Sequence, residues 1–169
     1  MDDQILKIEQ LTDGLERLTL NRPERLNALN QPLTDALLAH FEGRRRDEAT
    51  RVIILGGAGR GFCSGADLKA AGQPDALQDG PRGDWVLRDL MKAMRACPQP
   101  LIALVRGPCA GGGLALALAC DVIVASETAA FHSAFINVGL ANSWPAQGKA
   151  ATEQWSRWLD VDEIGRAHV

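Results

Sequence analysis

Two stretches dense in small residues hold most of the chemistry this sequence could perform. Gly56 to Gly65 follows the apolar run Arg51-Val52-Ile53-Ile54-Leu55, and Gly107 to Gly113 follows Leu101 to Val105. Glycine loops after strands can cradle nucleotides or present a nucleophile, but the spacing here rejects each of these uses. There is no GxxxxGK[ST], which excludes a P-loop. Gly57-Ala58-Gly59-Arg60-Gly61-Phe62 lacks the GxGxxG spacing of a dinucleotide site. Gly61-Phe62-Cys63-Ser64-Gly65 lacks the GxSxG spacing of a nucleophile elbow, and Ser64 has no evident His and Asp partners. What remains is a pair of strand-to-helix turns. Such turns leave backbone N–H groups free at helix N-termini, where the dipole adds positive potential. Two N–H groups converging on one point make an oxyanion hole. Small residues suit that task because a larger side chain would block an approaching carbonyl. The plainer alternative is tight helix–strand packing, and for one loop alone it is the better account.

The elements that must position these loops are visible in the apolar pattern. Ile5 to Leu11 and Leu15 to Leu20 flank Asp13-Gly14, a hairpin signal. Asn30 precedes Gln31-Pro32 as an N-cap, and Leu33, Ala36, Leu37, His40 and Phe41 follow at helical spacing. Gly43-Arg44-Arg45-Arg46 is read as the helix end, with cations suited to its dipole. Arg51 to Leu55, Leu101 to Val105 and Asp121 to Ala125 are read as strands buried on both faces. Between the first two lie a Gly/Pro/Asp stretch, Gly72 to Gly83, and a helix from Asp84 to Ala96 with Leu87, Leu90, Met91 and Met94 inward. Strands alternating with helices imply an α/β fold with a largely parallel sheet and right-handed crossovers. Ligands of such sheets bind beyond the carboxyl ends of the strands, where both glycine loops emerge.

Composition narrows the function classes. A chain of 169 residues with 46% hydrophobic and 23% charged residues is an ordinary globular chain. A net charge of -3 is too near neutral for sequence-independent nucleic-acid binding. No apolar run reaches the roughly 20 residues that span a bilayer. The acidic start Met1-Asp2-Asp3 is not a signal peptide, so a cytoplasmic location is expected. Cys63, Cys97, Cys109 and Cys120 form no CxxC pair and have no His at zinc-finger spacing, so core packing is expected rather than a metal site.

At this point the residues resemble a family. Gly59-Arg60-Gly61-Phe62-Cys63-Ser64-Gly65-Ala66-Asp67-Leu68-Lys69 closely resembles the first acyl-CoA loop of the crotonase (enoyl-CoA hydratase/isomerase) superfamily. Gly107-Pro108-Cys109-Ala110-Gly111-Gly112-Gly113-Leu114-Ala115-Leu116 resembles the second loop. Leu20-Asn21-Arg22-Pro23-Glu24-Arg25-Leu26-Asn27-Ala28-Leu29 matches the N-terminal signature, all three in the right order. The resemblance implies a crotonase-like (ClpP/crotonase) spiral of ββα units. It also implies a coenzyme A thioester as substrate without cofactor or metal, and a homotrimer or hexamer. The oxyanion-hole donors would be the backbone N–H groups of Ala66 and Gly112, holding a thioester enolate. Arg25, Ala28, Ser64, Asp67 and Leu68 match positions that line the CoA adenine and pantetheine. Lys69 would meet a CoA phosphate as a point charge, its plainer reading being a solvated helix lysine.

The sequence departs from the hydratase pattern where protons move. A hydratase adds water with two glutamates, and their places are Ala115 and Phe135 here, neither able to carry a proton. Relatives lacking them often place an aspartate a few residues beyond Gly139-Leu140, where this chain has Ala141-Asn142-Ser143-Trp144-Pro145 and no acid until Glu153. Histidine is a residue type suited to proton transfer near neutrality, but His132, beside Phe131, reads as structural, and Asp67 reads as ordering a helix start. The resemblance therefore leaves two expectations. One is an acyl-CoA enzyme of hydratase, isomerase or lyase type. The other is a non-catalytic CoA-thioester-binding or truncated protein. A peptidase of the related Clp fold would need a Ser-His-Asp set that cannot be assembled.

The motif resemblance covers about residues 3–140, giving a core at 1–140 and an aberrant tail at 141–169. Trp144, Trp155 and Trp158 crowd that tail, and Glu163 to Val169 looks like one frame of a sequencing-library adapter. The tail is accordingly read as a frameshifted or truncated end. Another frame of the same DNA should then restore a Gly-Leu-x-x-x-Asp segment.

Overall fold

Alternation of apolar side chains along short strands builds the sheet that carries both glycine loops. A computed structural model describes residues 4–70 and 84–133, all within one compact unit, Met1–Ser133. Strands β1 (Leu6–Thr12) and β2 (Leu15–Leu20) pair antiparallel through the Asp13-Gly14 turn, with Gly14 at φ +81°. The Gly14 carbonyl accepts from the N–H groups of Arg51 and Val52 at 2.7 and 3.0 Å, which ties the turn to the start of β3 (Val52–Gly57). Strands β4 (Leu101–Val105) and β6 (Val122–Ala125) complete a five-stranded sheet of order β1-β2-β3-β4-β6, parallel throughout except for the first pair. The short strands β5 (Pro108–Ala110) and β7 (Ala130–His132) pair parallel as a second sheet, which the apolar pattern alone does not reveal.

The helices follow from caps and stripes. In α1 (Gln31–Gly43) the Asn30 side chain accepts from Leu33 N–H at 3.2 Å, and Leu33, Thr34, Leu37 and Phe41 are buried, as the spacing predicts. Helix α2 (Asp84–Arg95) presents Leu90 and Met94 to the core, with Leu87 and Met91 packed against it. Helix α3 (Gly112–Ala119) is apolar all round and buried at six of its eight positions, as a central helix must be. The arginines after α1 are only partly as expected. Arg44 opens a 3₁₀ turn and pairs with both Glu16 and Asp47, so its charge serves side-chain carboxylates.

The strands are not buried on both faces. Ile53, Leu55, Leu101, Ala103 and Val105 are nearly inaccessible and join one core with the helix residues, whereas Ile54, Ile102 and Leu104 are half-buried. On β6, Val122, Ile123 and Val124 are 50, 37 and 51% exposed. All three described helices contribute to the single core on one face, so β-branched composition here reports fit to a pleated backbone rather than double burial. No described helix is long and apolar enough to cross a membrane. Gly72 to Gly83, Phe135, the 140/141 boundary and the tail reading lie outside the described residues.

Candidate active site

Because β2, β3 and β4 run parallel, the three segments leaving them emerge at one edge of the sheet. These are Asn21 to Leu29, the loop through Gly65 and Ala66, and the turn through Gly111 and Gly112. Backbone pairing stitches them together. Leu29 N–H donates to Gly65 C=O at 2.7 Å, and Asp67 N–H donates to Leu29 C=O at 2.9 Å, forming a parallel bridge between Leu29 and Ala66. A second bridge joins Cys63 to Cys109, with Cys63 N–H on Pro108 C=O at 3.1 Å and Ala110 N–H on Cys63 C=O at 2.9 Å.

The first bridge orients the Ala66 N–H. The peptide unit joining Gly65 to Ala66 is planar and trans, so its C=O and N–H point in opposite directions. With the Gly65 carbonyl held by Leu29, the Ala66 N–H points away from Leu29. Gly112 opens α3, whose first intrahelical bond starts at Ala115 N–H on Gly111 C=O (3.0 Å). Among the described residues neither the Ala66 nor the Gly112 N–H donates to a protein acceptor. The loops meet closely at Gly65. At φ +94°, an added Cβ there would lie 2.8 Å from Ala110 O and 3.2 Å from Gly112 N. Only glycine permits that approach, and it places Gly112 N beside the chain leading into exposed Ala66.

A polar framework lies behind the first loop. Leu26 and Asn27 both adopt left-handed backbone, φ 51° and 54°, an uncommon pair for residues with side chains. Buried Asn27 accepts from Arg22 N–H at 2.9 Å, and its amide faces Ala58, Gly61 and Phe62 carbonyls at 2.9, 2.9 and 3.1 Å. The Arg22 guanidinium donates to Ala28 C=O at 2.5 Å and to Asp67 Oδ2 at 2.8 Å. Arg22 and Asn27 stand in the N-terminal signature but carry no role in the sequence reading. Partners 45 and about 35 residues away are invisible without the fold.

The expected ligand-lining residues separate into two groups. Arg25 is exposed at the end of a 3₁₀ turn (Pro23–Arg25), and its carbonyl accepts from Ser64 Oγ at 3.4 Å. Ser64 N–H reaches Leu26 C=O at 3.0 Å, so Arg25 and Ser64 adjoin, with Ala28 buried behind them. Leu68, 62% exposed, and Lys69 follow Ala66 in a 3₁₀ turn (Leu68–Ala70) open to solvent. Asp67 instead turns its carboxylate, 5% exposed, to Arg22. Ala115 is buried in α3, and a methyl group there moves no proton. His132 is exposed in β7, and its carbonyl accepts from Gly111 N–H at 3.1 Å. Cys63 and Cys109 pack between the loops, and burial pushes both thiols up to about 12, which removes them as nucleophiles near neutrality. No metal-ligand cluster occurs among the described residues.

Comparison with known proteins bears on the family and the fold. The enoyl-CoA hydratase/isomerase family model matches residues 10–152, running past Leu140, where the motif resemblance ends. The chain is 44% identical over 135 residues to a probable enoyl-CoA hydratase of Rhodobacter capsulatus, covering 78% of this chain and 50% of that protein. It is 36% identical over 139 residues to the 1,2-epoxyphenylacetyl-CoA isomerase of Escherichia coli, covering 79% and 52%. The crystal structure of an enoyl-CoA hydratase/carnithine racemase from Magnetospirillum magneticum superposes with a TM-score of 0.75 at 34% identity, over 84% of this chain and 54% of that one. The chain thus spans about half the length of the curated relatives it matches. With the α/β fold, the two joined glycine loops and these matches together, the chain belongs to the enoyl-CoA hydratase/isomerase family and has the crotonase fold.

Proposed function

We propose that this chain binds an acyl-CoA thioester and holds the thioester carbonyl oxygen between the backbone N–H groups of Ala66 and Gly112. The observation that carries the reading is that two N–H groups with no acceptor among the described residues lie on loops forced together at Gly65. Such donors favour negative charge on the oxygen, which is what an enolate or a tetrahedral adduct develops; one donor contributes about 3 kcal/mol of transition-state stabilisation in other enzymes. On the family resemblance, exposed Arg25, Leu68 and Lys69, half-buried Ser64 and Asp67, and Ala28 behind them would contact the CoA portion. Hydratase, isomerase and lyase reactions all pass through such a charge, and the names of the relatives include a hydratase and an isomerase. On the same family resemblance, the protein would work as a cytoplasmic homotrimer or hexamer.

A second reading has its own observation. Ala115 stands, buried, where a hydratase places one glutamate, and Phe135 replaces the other, so this chain would bind the thioester without catalysing hydration. Two assays separate the readings. Retention on immobilised CoA together with turnover of crotonyl-CoA, a 3-enoyl-CoA or a 3-hydroxyacyl-CoA supports the enzyme, and retention without turnover of any of them supports the binding protein. Failure to bind any acyl-CoA rejects both.

A further inference from the structure

The side-chain contacts of Arg22 beside the loops involve neither candidate donor. Arg22 is mostly buried, its side chain 12% exposed, and its guanidinium bridges two points that flank the Leu29–Ala66 bridge. One nitrogen reaches Ala28 C=O, the residue before Leu29, and the other reaches the Asp67 carboxylate, the residue after Ala66. The arginine backbone is itself pinned, because Arg22 N–H meets Asn27 Oδ1 at 2.9 Å and Arg22 C=O accepts from Asn27 N–H at 2.8 Å.

We propose that Arg22 is a positioning residue: through Asp67 it fixes the direction of the Ala66 N–H and neutralises the carboxylate beside it. The proposal rests on the carbonyl-binding reading given above. Ala66 sits between two anchors. The Gly65 carbonyl is tied to Leu29 on one side, and Asp67 is tied by its N–H to Leu29 and by its carboxylate to Arg22 on the other. Beyond Asp67 the chain is exposed at Leu68 and Lys69, so the Arg22–Asp67 pair stops movement of that turn from rotating Ala66. Charge adds a second effect. Asp67 adjoins the donor, and an unpaired carboxylate there would oppose negative charge on the thioester oxygen. A fork-shaped guanidinium meets the carbonyl and the carboxylate at once, whereas a lysine offers only a point charge.

The test uses the full chain and a conjugated dienoyl-CoA, whose absorbance shifts to longer wavelength when its carbonyl oxygen is polarised. Affinity for free CoA, which has no thioester carbonyl, is measured alongside. The wild-type chain is expected to red-shift the bound probe. Arg22→Gln should lose more than half of that shift while its affinity for free CoA stays unchanged. Asp67→Asn should lose less, because the charge it leaves without a counter-ion is the Arg22 cation, which does not oppose negative charge on the thioester oxygen, and Arg22→Lys should fall between wild type and Arg22→Gln. If Arg22→Gln does not fold, the ordering of Arg22→Lys and Asp67→Asn against wild type decides the matter. A full red shift in every folded variant overturns the proposal and leaves the carbonyl-binding reading standing. A wild-type chain that binds the probe with no shift overturns the carbonyl-binding reading itself.

Discussion

Replacing Gly65 with alanine probes how tightly the two loops are held against each other. The new Cβ would sit 2.8 Å from Ala110 O, against an ordinary carbon–oxygen contact of about 3.3 Å, so the loops must separate by about 0.5 Å. Both partners at that contact are backbone, and each loop is fixed by the Leu29–Ala66 and Cys63–Cys109 bridges, so neither can swing aside. The φ of +94° adds strain of about 1–2 kcal/mol for a residue with a side chain. Overpacking adds about 1–2 kcal/mol more. A total of about 2–4 kcal/mol lowers Tm by roughly 4–16 °C in a chain of this size. A shift of about 0.5 Å is also the tolerance of a preorganised site, so acyl-CoA affinity should fall further than affinity for free CoA. The assay is thermal unfolding followed by circular dichroism, with ligand titration on the folded protein. Gly43→Ala is the internal control. That glycine has φ -64° and nothing within 4 Å of an added Cβ, so alanine there should be neutral or stabilising by about 0.4–1 kcal/mol. If Gly65→Ala melts with the wild type and binds acyl-CoA equally well, the close approach of the loops is refuted.

Three further outcomes follow from the described contacts. Asn27→Ala removes the amide facing three loop carbonyls and places alanine at φ 54°, so a loss of about 2–4 kcal/mol is expected in urea unfolding. An unchanged midpoint would contradict the framework role. Burial holds His40 below its ordinary value of 6.5, despite the adjacent Glu16 carboxylate at 2.8 Å. Its contribution to stability is therefore complete above about pH 6.5 and is lost as pH falls through the lowered value. His40→Gln should flatten that limb of a stability–pH profile, and an identical slope would refute the assignment. A thiol reagent near neutral pH should label half-buried Cys97 first and leave Cys63, Cys109 and Cys120, each pushed up to about 12 by burial, until the chain unfolds; equal labelling of all four in the native state would contradict this.

Local signals in the sequence translated well where a few neighbouring residues decide the conformation. Asp13-Gly14 makes the hairpin, Asn30 caps α1, and Leu33, Leu37 and Phe41 bury the stripe their spacing describes. Residues 59–69 and 107–116 resemble the family at the level of short motifs, and that resemblance nominates the pair Ala66 and Gly112. Long-range features were not legible. Nothing near Arg22 announces Asp67, and nothing near Glu16 announces His40 and Arg44, because such pairs exist only once β2, α1 and the first loop are packed together. Asp67, read as ordering its own helix start, does precede the 3₁₀ turn Leu68–Ala70, and it also pairs with Arg22, a partner 45 residues away in sequence. Double burial of the strands was inferred from β-branched composition, which cannot tell which faces the helices cover.

Ala66 and Gly112 are proposed to present their N–H groups to a thioester carbonyl. This proposal is tested most directly by amide NMR of chain labelled selectively at alanine and glycine, titrated with an acyl-CoA thioester and with the matching thioether, which lacks the carbonyl. Downfield shifts of the Ala66 and Gly112 amide protons are expected with the thioester, and little change at those two with the thioether. Equal shifts with both ligands, or none at Ala66 and Gly112 while the thioester is bound, would contradict it.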